Sequence, residues 1–285
     1  VAIALATTRE GTDLHTDGPL LLEAFRQLGV DADVVAWGSG PDWSAFDAVL
    51  IRNTWDYVFD RQGFLDWAEH VERETRLANS AAVLRWNTDK RYLRELETAG
   101  IRSVPTVWVE AGADVPDIEW DDFVVKPSVS AGARLSARYR RGDDVADHLR
   151  RIHVIGAAAM VQPYVGPVDG AHEIGTYVFD GEVSHAIRKE PLLAHVRRPL
   201  DDLSGGARQV VGPAPVDPRL ADFALEVVAS APPVLYARVD TVKSEDGQPV
   251  LMELEVTEPF LFLEHAPEGA GRFARAVVRW LATSS

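Results

Sequence analysis

The stretch 236–259, YARVDTVKSEDGQPVLMELEVTEP, constrains the fold more than any other part of the chain. It reads as two β-strands joined at Asp246-Gly247, a dipeptide suited to a two-residue hairpin turn. With those residues at the turn, Asp240 faces Glu253 and Arg238 faces Glu255, both at non-hydrogen-bonded positions where side chains approach most closely. Alternation puts Arg238, Asp240, Glu253 and Glu255 on one face, and Val239, Met252, Leu254 and Val256 on the other. Three carboxylates crowded around one guanidinium repel each other unless a cation sits among them. Hard oxygen donors in that number suit Mg²⁺, which fills its remaining positions with phosphate oxygens and water. A solvated hairpin face is the plain alternative. The strongly apolar opposite face marks these strands as central to the fold and favours the metal site.

At 285 residues the chain is long enough for one large domain or two to three small ones. Its formal net charge is −15, and no Lys/Arg cluster has aromatic residues interleaved with it, so a nucleic-acid backbone is rejected as a partner. No apolar run approaches the ~20 residues that span a bilayer. The start, VAIALATTRE, lacks the features of a signal peptide and reads as a first core strand. With no cysteine, thiol catalysis, disulfides and thiolate metal sites are excluded. A cytoplasmic location and a small-molecule substrate are the expectations, and assembly into a homo-oligomer is compatible with them. The histidines show no HExxH spacing, which leaves a zinc hydrolase without support.

In chain order, strand patterns at residues 1–7, 33–37 and 48–51 alternate with helix patterns at 19–28 and 62–76. This order implies a parallel α/β layer whose binding edge lies at the strand carboxyl ends. Arg52, Asn53, Trp55 and Tyr57 fall at that edge, as pocket lining or as an aromatic-anchored loop. A helix with Lys90 on its first turn follows, then a strand at 106–109. Phe123-Val124-Val125-Lys126-Pro127 ends an apolar strand on a lysine. The run after it contains Ser128, Ser130, Ala131 and Gly132, small residues whose free backbone N–H groups suit close approach to phosphate. A hairpin turn is the alternative, because the run lacks a P-loop ending and a dinucleotide fingerprint. Gln162-Pro163-Tyr164-Val165 closes a further strand, Glu173 opens a hairpin that turns at Asp180-Gly181, and Lys189 lies just beyond it. Residues 192–212 read as a loop or lid in which Arg197 and Arg198 are surface charge, much as Asp13 and His15 are loop residues.

Taken in order, these residues resemble the ATP-grasp superfamily from about Trp86 to the end. The 52–57, 184–189 and 254–259 segments are similar to its subgroup of cycloserine-forming cyclo-ligases. The resemblance implies an α/β (α+β) ATP-grasp fold with an N-terminal Rossmann-like pre-ATP-grasp domain at 1–85. A smaller central subdomain with the phosphate loop would span 86–165, and a C-terminal subdomain with the metal-binding hairpin 166–285.

It also implies roles. Lys126, with Lys90 and Lys189, would neutralise ATP phosphates, while backbone at Gln162, Pro163, Tyr164 and Val165 would meet the adenine edge. Glu173 would accept from the ribose. Asp240 and Glu253 would hold Mg²⁺, or Mn²⁺ in its place, with Glu255 standing where many relatives carry Asn. Arg238 would stabilise charge on the transferring phosphoryl group and the tetrahedral intermediate. The expected reaction is ATP-dependent: a carboxylate becomes an acyl-phosphate and an amine-type nitrogen attacks it, within one molecule in the cycloserine manner. Joining an amino acid to a separate amine, and a module that binds ATP without turnover, are the alternatives.

Overall fold

The structure, a computed structural model, describes residues 1–165, 172–193, 199, 210–244 and 246–283. Strands β1 (Ala2–Thr7), β2 (Asp31–Ala36), β3 (Ala48–Asn53) and β4 (Arg76–Ala78) form a parallel sheet in the order β2-β1-β3-β4. β1 and β3 are apolar without polar alternation because both their faces are covered. Ile3, Leu5, Ala48 and Leu50 pack towards helices α1 (Asp17–Gln27) and α7 (Glu268–Ala282), while Ala4, Ala6, Val49 and Ile51 pack towards α2 (Arg61–Glu74). The expected helix to residue 76 ends at Glu74, and the three residues of β4 that follow went unread in the sequence. Strands so short carry no period to detect.

The helix expected from Thr88 to about Thr98 begins only at Tyr92, as α4 (Tyr92–Thr98). Helix α3 (Ala81–Asn87) precedes it where no helix was expected, and Lys90 falls in the break at 88–91 instead of on a first turn. Both pack on the C-terminal sheet, sharing a core with Val239, Leu251, Leu254 and Val256. The central antiparallel sheet has the order β5-β8-β6-β7, with β5 (Val107–Val109), β6 (Asp122–Pro127), β7 (Ala137–Arg140) and β8 (Ala159–Pro163). Phe123 and Val125 of β6 face the core under α5 (Ala146–Val154), so alternation turns Lys126 to the opposite side.

The C-terminal sheet is antiparallel, β11-β10-β9-β12-β13, formed by β9 (Glu173–Phe179), β10 (Glu182–Lys189), β11 (Val211–Ala214), β12 (Tyr236–Lys243) and β13 (Pro249–Glu255). β11 lies where only loop was expected; most of the supposed 192–212 lid, Arg197 and Arg198 included, falls outside the described residues. Helix α6 (Pro218–Ala229) packs below the sheet with Phe223, Ala224 and Val227 in the core. The edge strand β13 does not leave its outer backbone bare. Asn87 takes Leu254 O at 2.7 Å and Val256 N at 3.1 Å, and the Tyr92 hydroxyl lies 2.9 Å from both Leu254 O and Leu254 N. Covering the edge in this way satisfies the backbone and fixes the strand. Tyr177, Phe179, Tyr236 and Phe273 share one core with the N-terminal sheet, which joins the first and last parts of the chain. No helix among the described residues is long and apolar enough to cross a membrane.

Candidate active site

The hairpin pairs as expected at the site: Arg238 with Glu255 and Asp240 with Glu253. The route to that register differs. The strands end at Lys243 and Pro249, the turn is closed by Ser244 N donating to Gln248 O at 3.0 Å, and nearer the turn Thr241 pairs with Leu251. Met252 is the extra residue of a β-bulge, and this bulge restores the pairing at Asp240 and Glu253. It also corrects the apolar face, where Leu251 takes the core position expected of Met252.

Cross-strand neighbours extend the charged face inward. Asp240 pairs with Gly175 and Arg238 with Tyr177 on β9, while Lys189 of β10 pairs with Glu173. Gly175 has no side chain for a reason: a Cβ there would lie 2.9 Å from Asp240 Oδ1 and 3.2 Å from Arg238 Cδ. Arg238 donates through Nε to Asp240 Oδ1 at 2.9 Å and through Nη2 to Asp240 Oδ2 at 2.9 Å and Glu255 Oε1 at 2.5 Å. Lys189 Nζ lies 2.8 Å from Asp240 Oδ2 and contacts Glu173 as well. Lys90, delivered by the break between α3 and α4, places Nζ 3.1 Å from Glu253 Oε1 and donates to Ser130 O at 2.9 Å. It thereby ties the 128–135 loop to the hairpin.

The carboxylates therefore do not form a preassembled metal trio. Among the described residues no three acidic or histidine side chains stand together as a metal centre. The cations that relieve their repulsion are Lys90, Lys189 and Arg238, brought from α3–α4, β10 and β12. Burial alone would raise every carboxyl group here, and the outcome depends on who is beside it. Arg238 and Lys189 overcome burial at Asp240, and Lys90 and Lys126 do so at Glu253, so both fall below their ordinary values. Burial wins at Glu173, which is raised, and at Glu255, pushed up to about 7 with Glu253 and Asp240 adding to it against Arg238. The Lys126 ammonium has no hydrogen bond or ion pair among the described residues; burial lowers its pKa and Lys90 and Lys189 add to the effect, with Glu253 opposing.

The remaining expected residues are placed less uniformly. Gln162 is buried and donates to Thr106 Oγ1 at 2.8 Å, while Pro163, Tyr164 and Val165 continue from it with Arg138 3.6 Å over the Tyr164 ring. The buried Ser128 hydroxyl has no partner among the described residues, and Gly132, Ala133 and Leu135 all have positive φ, so the loop is tightly coiled. Arg52 donates to Pro259 O at 2.6 Å, and Asn53 donates to Thr7 Oγ1 at 3.2 Å, so both spend bonds on backbone or neighbouring structure. Trp55 rests edge-on against Phe59. Tyr57 is buried, with Glu258, Glu253 and Glu255 as its acidic neighbours. Sequence reasoning missed Asp17, Asn87, Tyr92, Tyr177 and His185, which hold the hairpin and the 258–264 segment. Their partners are backbone atoms distant in the chain, so no local pattern announces them.

A family model described as D-cycloserine synthetase DcsG, N-terminal domain, matches residues 3–79. The cycloserine biosynthesis protein DcsG of Streptomyces lavendulae is 35% identical over 98% of this chain and 98% of its own. The crystal structure of D-cycloserine synthetase DcsG superposes with a TM-score of 0.85 at 32% identity, covering 99% of this chain and 100% of that one. At 18% identity, the ATP-grasp ligase PsnB complexed with minimal precursor, Mg and ADP shares the fold, with a TM-score of 0.64 over 98% and 97% of the two chains. This chain is an ATP-dependent ligase and belongs to the D-cycloserine synthetase family of ATP-grasp carbon–nitrogen ligases.

Proposed function

We propose that this ligase activates a substrate carboxylate as an acyl-phosphate and closes it on a nitrogen of the same molecule, an O-substituted serine of the O-ureido-serine kind. The observation that carries the reading is the register of Arg238 opposite Glu255 beside Asp240 opposite Glu253, with three lysines from other elements directed to the same face. Lys126, Lys90 and Lys189 meet the phosphates of ATP, and Lys126 is ready for them without breaking a bond. Gln162 to Val165 border the base, and Glu173 the ribose. Asp240 and Glu253, with Glu255, offer hard oxygen donors on one face and so fit Mg²⁺, which when bound neutralises phosphate charge. Phosphate oxygens attract Lys90 and Lys189 away from those carboxylates.

Arg238 is held by Asp240 and Glu255 in one orientation, and its Nη1 also lies 3.3 Å from Phe260 O. A guanidinium fixed in this way stabilises an oxyanion as it forms, without reorganising. The 128–135 loop, tied to Lys90, excludes water that would hydrolyse the acyl-phosphate. Ring closure is favoured over joining two molecules by the near-full-length likeness to D-cycloserine synthetase. A coupled ADP-release screen over amino acids and O-substituted serines, followed by mass spectrometry, tests it: ADP and product form in equal amounts, and the product is one substrate molecule less water and, where a ureido nitrogen closes the ring, less its carbamoyl group. A product containing a second amine means condensation, and no ADP release with any acid and amine marks a binding module.

A further inference from the structure

Around the seam between the N-terminal strand edge and the hairpin, one carboxylate differs from its neighbours. Asp17 accepts from Leu261 N at 2.7 Å and Leu263 N at 2.9 Å, and Asp56 accepts from Arg9 N at 2.7 Å and Trp37 Nε1 at 3.0 Å. Glu255 is held by Arg238. Glu258, half-buried among them, accepts no hydrogen bond and has no ion pair within 4.0 Å among the described residues.

The fold withholds the obvious partners. Arg52 is the cation that acts most strongly on Glu258, yet its Nη2 is bound to Pro259 O, and its guanidinium lies 5.4 Å and 5.1 Å from the Tyr236 and Phe273 rings. Its Nε and Nη1 have no acceptor either, although the residue is only 4% exposed. The segment cannot shift to bring the two together. Tyr177 donates to Phe260 O at 2.6 Å, His185 Nε2 lies 3.0 Å from Leu261 O, and Asp17 holds the N–H groups that follow. Burial, with Glu255 adding to it against Arg52 and Arg238, raises the Glu258 pKa well above the carboxylate range. A half-buried acceptor left without a donor is costly, so a ligand that supplies one gains affinity.

Building on the proposed ring-closing reaction, we propose that Glu258 binds the ammonium group of an α-amino-acid substrate, next to the reacting carboxyl group that Arg238 attends. An ammonium ion needs one carboxylate and donates N–H bonds, whereas a metal ion needs several free oxygens. The carbonyls of Pro259, Phe260 and Leu261 are already engaged, so Glu258 has no oxygen cage around it. Arg238 reaches Phe260 O, two residues beyond Glu258, which brings the two side chains to the same short stretch of chain. That closeness suits an ammonium and a carboxyl separated by one carbon.

The test uses the full chain with and without Mg–AMP-PNP, and two probes differing only in the amino group: O-ureido-D-serine and 3-(ureidooxy)propanoate. Calorimetry on wild type should show the ammonium-bearing probe binding about 10- to 100-fold tighter, the range of one charged hydrogen bond. In Glu258→Gln, which keeps shape and loses charge, the preference should fall below about 3-fold, and Glu258→Asp should restore part of it. Equal binding by wild type, absent binding included, or a preference that survives in Glu258→Gln overturns the assignment. ADP release on the same samples separates the two ideas. Turnover without preference removes only the role of Glu258, and preference without ADP release removes only the ligase chemistry.

Discussion

The two faces of the β12–β13 hairpin share one backbone and are both shielded, yet they are held by unlike forces. Below, Val239, Leu251, Leu254 and Val256 are at most 1% exposed and pack against α4 and α6. Above, Arg238 and Asp240 are 6% and 1% exposed, and are held by an ion pair to each other and by Glu255 and Lys189 from other strands. Apolar packing is non-directional and tolerates only changes that conserve volume, whereas the charged face is directional and tolerates only changes that keep every charge partnered. The lower face secures the register; the upper face uses it.

Adjacent residues on β13 can separate the two. Glu253→Ala should lower ADP release by at least about 10³-fold in a coupled assay, while Lys90 keeps its bonds to Ser130 and the chain still folds. Leu254→Ala should do the reverse, costing about 2–5 kcal/mol in urea unfolding with turnover per folded molecule nearly unchanged. Gly175→Ala joins the faces, since its Cβ meets Asp240 Oδ1 at 2.9 Å. It should cost about 1–3 kcal/mol and displace the carboxylate, reducing turnover more than Leu254→Ala does. Lys126→Met removes a shielded, unpaired cation, so its thermal midpoint should rise slightly while ATP affinity by calorimetry falls about 10-fold.

The smallest effect is on pH. Glu255 holds its proton in the folded chain up to about 7, against an ordinary 4.5. The folded state therefore binds a proton that the unfolded chain has released, and stability falls as pH rises from about 4.5 to about 7. Glu173, also raised, contributes with the same sign. Asp240 and Glu253 are lowered, so their contribution is lost at the acid end instead, as pH falls below their ordinary 3.8 and 4.5. Thermal midpoints of the ligand-free chain should decline across the upper window, and Glu255→Gln should flatten that decline.

By itself the sequence determined what is local or periodic. The alternating hairpin, the apolar β1 and β3, the lysine ending β6 and the Asp180-Gly181 turn, where both residues take positive φ, were all legible because a two-residue period or a turn dipeptide acts within a few residues. Even there a two-residue turn gives the pairing of Asp240 with Glu253 only because the Met252 bulge offsets a turn that closes instead at Ser244 and Gln248. Only the tertiary structure decided which cations neutralise the carboxylates, that α3 and α4 cover the edge of β13, and that Glu258 is left without a partner. Those outcomes depend on contacts between residues that the fold brings together, some of them more than a hundred positions apart, such as Lys90 with Glu253 and Asp17 with Leu261. Charge is legible in a sequence, but pairing is a matter of distance, and distance belongs to the fold.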